Sequence, residues 1–266
     1  MNLGVDAIDT SFSYHDFASH RTLARKAGDL LREFTVSTKI GFFPARHGAE
    51  HSLDPMRLRT ALEQTNRDLG RTPDLVFLHN PERSLRPRHI QQAREVLGQA
   101  CAALDEAAAD GLCGAWGIAS WNPEGLPALI DGSMPRPHAL MVRSGLFVGI
   151  ETLDASAALA ARWDAPGTAC WGMSPFAGDA SNAAREGLDP RLFLRGAAAD
   201  CSRAAAAFRV ACRLPSVSSL AVGADDPRHL GALLDSLRFA VDDRRIRRYV
   251  ELLRSHRVPV SRAGVP

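Results

Sequence analysis

Residues 217–230 read VSSLAVGADDPRHL. The first seven suit a buried strand, a short loop follows, and Asp226 with Pro227 supply a helix cap and a first helical residue. Working outward, the same unit recurs. Six further apolar runs suited to buried strands occupy 3–9, 34–40, 74–79, 114–120, 139–143 and 168–174. Between most of them lies 3.6-residue periodicity, as at Met56, Leu58, Leu62 and Leu69 and in the alanine-rich stretch 90–109. Asp54 with Pro55 and Asn122 with Pro123 repeat the cap and predict two more helix starts. Strand, short loop, capped helix is the pattern of parallel β/α units, which close into a barrel or spread into a doubly wound sheet. No GxGxxG turn follows a strand, which weighs against the open dinucleotide-binding sheet.

The 266 residues form one predicted domain, with no linker and no shift in composition along the chain. A net charge of +2 gives no field for nucleic acid or acidic lipid, so neither is expected as a partner. Cys101, Cys113, Cys170, Cys201 and Cys212 lack the close pairs of a zinc or dithiol motif, so no metal is expected and a reducing compartment is. The N-terminal segment has no basic, apolar leader and no run approaches the ~18 apolar residues of a membrane span, so the expected location is the cytoplasm. Arg244, Arg245, Arg247 and Arg248 share a predicted helix with Ile246, Val250 and Leu253 and read as its solvated face.

Arginine is the default cation here: of 32 basic residues only Lys26 and Lys39 are lysines. Lys39 ends a predicted buried strand, where a lysine can do proton chemistry that a guanidinium cannot. In a parallel barrel the chemistry gathers at the C-terminal strand ends. Three consecutive strands end in such groups: the first at Asp9, with Tyr14 in the loop beyond, the second at Thr38 and Lys39, the third at His79. Each alone has a structural reading, as a cap, a surface ring, a strand end or a core histidine. Together they make a proton-delivery device. An ammonium against a phenol favours the phenolate, a carboxylate keeps the ammonium ionised and oriented, and an imidazole aims a reacting oxygen at the phenol.

DTSFSY around Asp9 and Tyr14, STK ending at Lys39, and LHNP around His79 resemble the aldo-keto reductase superfamily, whose Asp, Tyr, Lys and His tetrad occurs in this order. GAWGIASWNPE, WGMSPFAG and VGADDPRHL are similar to three further family segments, so the likeness runs from Gly4 to about Leu237. It implies an α/β fold of (β/α)8 TIM type, incomplete, with about seven recognisable parallel strands. It also implies carbonyl reduction with Tyr14 as general acid, NADP or NAD as hydride donor, and a small carbonyl or alcohol as substrate. The cofactor contacts implied are Ser120 and Asn122, then Ser174, Phe176 and Gly178, then Gly223, Asp225 and Arg228.

Three departures from the family pattern bear on the cofactor. The first family strand and helix have no counterpart, which leaves two strand edges to be closed directly, covered by another element, or capped by a second subunit. Met141 stands where the family usually places glutamine, and a thioether cannot replace an amide's hydrogen bonds. Asp225 and Asp226 follow Gly223 and Ala224, where many members place a basic residue for the 2′-phosphate. A carboxylate there repels phosphate, although Arg228 is within reach to compensate and the amides opening the Asp226 helix are expected to receive pyrophosphate or ribose. An intact tetrad beside an altered dinucleotide site leaves two rivals to the reductase. One is a cofactor-independent lyase, dehydratase or isomerase; the other is a non-catalytic subunit. Phe42, Phe43, Trp121 and Phe147 are candidates for an apolar mouth.

Overall fold

A computed structural model describes residues 3–163, 168–179, 187–196 and 200–256. The strands are β1 (Ala7–Asp9), β2 (Thr35–Ile40), β3 (Phe42–Ala45), β4 (Gly48–His51), β5 (Leu75–His79), β6 (Ala115–Ser120), β7 (Ala139–Arg143), β8 (Ala169–Met173) and β9 (Ser219–Ala221). The helices are α1 (Tyr14–Phe17), α2 (Ser19–Ala27), α3 (Pro55–Leu69), α4 (Glu82–Leu85), α5 (Ile90–Ala109), α6 (Ile150–Arg162), α7 (Arg203–Ala211), α8 (Pro227–Asp235) and α9 (Asp243–Ser255).

Seven strands, the seven predicted from the sequence, pair in parallel in the order β1-β2-β5-β6-β7-β8-β9. The sheet curls into a nearly closed barrel wrapped by helices, an incomplete (β/α)8 TIM-type fold. Strands β1 and β9 are its edges, and among the described residues neither pairs with the other.

Alternation along the strands builds two cores. Outward, Val76, Leu78, Ile118 and Leu140 meet Leu58 and Leu62 of α3 and Leu97 and Leu104 of α5. Each such fully buried side chain contributes about 1.5–3 kcal/mol. Inward, Leu75, Phe77, Ala119 and Met141 fill the barrel, with Trp171 and Met173 packed against them. Gly117 makes room for this filling: a Cβ there would lie 2.8 Å from the Phe77 ring and 2.4 Å from the Ala139 carbonyl oxygen.

Asp54 and Asp226 cap α3 and α8 as expected, each carboxylate accepting from a backbone amide of the first turn. Asn122 with Pro123 does not start a helix. The Asn122 side-chain Oδ1 accepts from the Glu124 amide at 3.2 Å and two separate turns follow, Leu126 to Pro123 and Leu129 to Leu126. Pro127 has no N–H to bond back to Pro123, which stops helical propagation at its first step. The β3–β4 hairpin was not anticipated. It carries Phe43 into the outer core, so that ring is no part of the barrel mouth. All five cysteines are free, and α9 buries Ile246 while Arg244, Arg247 and Arg248 face outward. Among the described residues no helix is long and apolar enough to cross a membrane.

Candidate active site

Asp9, Tyr14, Lys39 and His79 meet at the C-terminal ends of β1, β2 and β5. Asp9 pairs in register with Ser37, two residues before Lys39, so both lysine and serine face the same side as the carboxylate. The Lys39 side chain is 3% exposed, and its ammonium has three partners. It forms a salt bridge with Asp9 Oδ2, donates to the Thr10 carbonyl oxygen at 2.9 Å, and lies 3.5 Å from the Tyr14 hydroxyl. Asp9 Oδ1 accepts from the Ser37 hydroxyl at 2.8 Å, so both carboxylate oxygens are held.

Tyr14 leaves the barrel edge through an unusual backbone. His15, Asp16 and Phe17 have φ of 51°, 50° and 65°, three consecutive residues in the left-handed region that side chains disfavour. The Tyr14 amide donates to the Ser11 carbonyl at 3.2 Å, and the ring is 44% exposed. Its hydroxyl thus combines a charged neighbour below with access from above.

His79 stands edge-on to Tyr14, with 6.4 Å between ring centroids. Burial, then the positive charges of Lys39, His51 and Arg83, push its pKa down to about 3. The imidazole is therefore neutral near pH 7. Its Nδ1 lies 3.3 Å from the Ser11 hydroxyl, leaving Nε2 for a reactant. Phe42 packs edge-on to the ring at 4.9 Å, and His51 Nε2 donates to the His79 carbonyl oxygen at 2.8 Å. The hairpin that sequence reasoning missed therefore braces the histidine. Gly41 makes the close approach possible, because a Cβ there, at φ 140°, would lie 3.1 Å from that carbonyl oxygen.

The expected cofactor residues fare unevenly. Ser120 is fully buried and donates its hydroxyl to Glu82 at 3.0 Å, so its hydroxyl is turned away from any ligand. Asn122 bonds its own loop. Ser174, Phe176 and Gly178 lie together on a tight turn, with the Ala177 amide donating to the Ser174 carbonyl and left-handed φ at Ser174, Ala177 and Gly178. Gly223 and Asp225 are exposed beyond β9. The amides opening α8 are not open to an anion, contrary to expectation. Asp226 takes them: its side chain accepts from the Arg228 amide at 2.8 Å, and its carbonyl accepts from His229 and Leu230. Arg228 does reach back, but onto Asp226 Oδ2 at 2.7 Å. Met141 is fully buried in the barrel floor.

Glu82, Ser11 and Ser37 were missed. Ser11 and Ser37 sit within the quoted motifs, and for Ser37 its strand parity with Lys39 was the available signal. Glu82 had none, since its role depends on a contact 38 to 40 residues away: it accepts from the Trp121 and Asn122 amides at 2.9 Å each. Burial raises its carboxyl above the usual range while these donors oppose the shift.

A family model described as the aldo/keto reductase family matches residues 1–254. Among solved structures, the chain is similar to aldo-keto reductase AKR11C1 from Bacillus halodurans in its holo form, with TM-score 0.71, 15% identity, and coverage of 95% of this chain and 83% of that one. Glycerol dehydrogenase AKR11B4 from Gluconobacter oxydans gives TM-score 0.68 and 17% identity, covering 100% and 86%. An aldo-keto reductase from Klebsiella pneumoniae in complex with NADPH gives 0.65 and 17%, covering 95% and 81%. No curated relative matches the chain.

Proposed function

The chain belongs to the aldo/keto reductase family, and we propose that it reduces a small aldehyde or ketone with Tyr14 as general acid, Lys39 and Asp9 activating it and His79 orienting the substrate. That it is an NAD(P)H-dependent oxidoreductase follows from the family. The carrying observation for the residue roles is the Lys39 ammonium, buried, anchored by Asp9 and 3.5 Å from an exposed phenol oxygen.

Of the expected donors, those on the Ser174–Gly178 turn and at 223–225 are exposed or partly exposed and would meet a nicotinamide dinucleotide, whereas the Ser120 hydroxyl, Asn122 and the α8 amides are engaged within the chain. The exposed Tyr14 and Trp121 rings and the partly exposed His79 leave the tetrad end of the barrel open to a nicotinamide ring. The Ser174–Gly178 turn and the 223–226 segment would hold the remainder. Exposed Asp225 beside the Asp226–Arg228 pair offers acceptors for ribose hydroxyls and repels a 2′-phosphate, so NADH is the preferred donor. When bound, the reduced nicotinamide supplies hydride to the carbonyl carbon. The chain's own work is on the oxygen. His79 Nε2 fixes the carbonyl oxygen, Tyr14 donates its hydroxyl proton to that oxygen, and Lys39 stabilises the phenolate left behind. No observation favours a lyase, dehydratase or isomerase over this reading. Location in the cytoplasm and a second subunit over the β1–β9 gap belong to the same proposal.

The test follows consumption of reduced nicotinamide with a panel of aldehydes. Wild type should turn over and bind NADH saturably; Tyr14→Phe should keep binding and lose about 10²–10⁴ in kcat. Binding of neither dinucleotide, or full activity in Tyr14→Phe, overturns the assignment.

A further inference from the structure

Along β7, Leu140 faces the outer core while Ala139 and Met141 fill the barrel. Period-two alternation carries Arg143 inward too, one layer above Met141 at the C-terminal end of the strand. It pairs in register with Met173, whose side chain packs against the inner cluster. On the neighbouring strands, His79 pairs with Ala119 and Ala119 with Met141, so Arg143 stands two residues beyond the His79 layer, facing the same interior.

Among the described residues this guanidinium has no protein counter-charge. Its Nε is buried with no hydrogen-bond partner, and among the described residues Arg143 forms no ion pair. Burial lowers its pKa, with no carboxylate offsetting the shift. Beside it lies an aromatic face: the guanidinium carbon is 4.8 Å from the Trp121 ring centroid. That platform is itself built, because the Trp121 amide is gripped by Asn80 Oδ1 and Glu82 Oε1 at 2.9 Å each. A stacked ring fixes the guanidinium plane and leaves its in-plane donors open, which is the geometry that receives a carboxylate through two parallel hydrogen bonds. A half-desolvated cation without a partner is costly, so its retention in the barrel mouth calls for an anion from outside.

We infer that Arg143, held by Trp121, recognises a carboxylate on the substrate, so that the substrates of this site are oxo acids whose carbonyl lies at Tyr14 and whose carboxylate lies at Arg143. The inference rests on the tetrad being the carbonyl site. Met173, partly exposed and in register with Arg143, then lies beside the path of the intervening carbons.

The experiment uses the full chain, with Arg143→Met, Arg143→Lys and Trp121→Leu checked for folding by circular dichroism. Binding is read by calorimetry with butanoate and benzoate, each against its amide, so no turnover is required. Wild type should bind each acid ~10-fold or more tightly than its amide. Arg143→Met should erase that ratio, Arg143→Lys should retain part of it, and Trp121→Leu should reduce it. Turnover is then read with 2-oxobutanoate and 4-oxobutanoate against their amides, where Arg143→Met should collapse the acid-to-amide ratio of kcat/KM through KM. Equal binding of acid and amide by wild type overturns the inference. So does an undiminished ratio in Arg143→Met, or a loss confined to NADH affinity, which would assign the guanidinium to a cofactor phosphate. Acid binding that depends on Arg143, without reduction of any oxo compound, sinks the redox assignment and leaves carboxylate recognition standing.

Discussion

The Tyr14 hydroxyl and the Lys39 ammonium, 25 residues apart in sequence, lie 3.5 Å apart at the barrel mouth. The lysine cannot drift from this position, because Asp9 and the Thr10 carbonyl hold its other donors. Replacing it should therefore damage chemistry and stability separately. Lys39→Arg keeps the charge on a larger, planar group that does not fit the same three partners; kcat should drop by about 10²-fold or more while the fold survives. Lys39→Met leaves Asp9 facing the cavity without its partner, at a cost of about 3–5 kcal/mol, the typical penalty for breaking a buried pair. Steady-state kinetics and urea unfolding separate the two. Wild-type kcat in Lys39→Arg would contradict the role given to the ammonium.

Stability should fall in acid. Burial pushes His20 down to about 4 and His79 to about 3, and lowers His51 as well. In each case the folded protein binds fewer protons than the unfolded chain between the folded value and about 6.5, so stability is complete above about 6.5 and is lost as pH falls through that window. His20 and His79 each contribute a slope of about 1.4 kcal/mol per pH unit there. His20 also bonds the Thr38 hydroxyl at 2.7 Å. The urea midpoint should drop between pH 7 and pH 4.5, and His20→Gln should flatten the drop; a midpoint unchanged across this range would refute it.

Cofactor preference should turn on Asp225. Substituting Asp225→Ser removes an exposed carboxylate beyond β9 without disturbing the Asp226 cap of α8. NADPH affinity should improve several-fold and NADH affinity should stay within about two-fold, since an exposed charge contributes at most about 1 kcal/mol. Fluorescence titration with both dinucleotides reads the ratio, and an unchanged ratio would remove Asp225 from the adenosine end.

Glu82 is a single acceptor for three donors: two backbone amides and the Ser120 hydroxyl. In Glu82→Leu all three donors lose their acceptor. Destabilisation of about 1–3 kcal/mol is expected from the bonds left unmade, together with a change in Trp121 emission as its loop loosens. Thermal unfolding and fluorescence check both, and wild-type behaviour in each would show the loop to be held by other contacts.

Much of this was legible in the sequence alone. The apolar runs place Asp9, Lys39 and His79 at strand ends because a parallel strand buried on both faces has few polar positions to offer. The proline after Asn122 misled, since a cap signal holds only when the next turn can bond, and Pro127 prevents it. Ser120 misled for another reason: one residue of strand parity turns its hydroxyl outward onto Glu82.

The sequence by itself determined the repeated β/α units, the seven strands and the identity of the four polar groups at their ends, because these follow from local periodicity and residue chemistry. Only the tertiary structure decided which groups meet. The bracing of His79 by the hairpin, the capture of the α8 amides by Asp226 and the approach of Arg143 to the Trp121 ring all depend on side-chain direction and on contacts that local periodicity does not specify. Such contacts are fixed by packing of the whole barrel, and no local stretch of sequence encodes them.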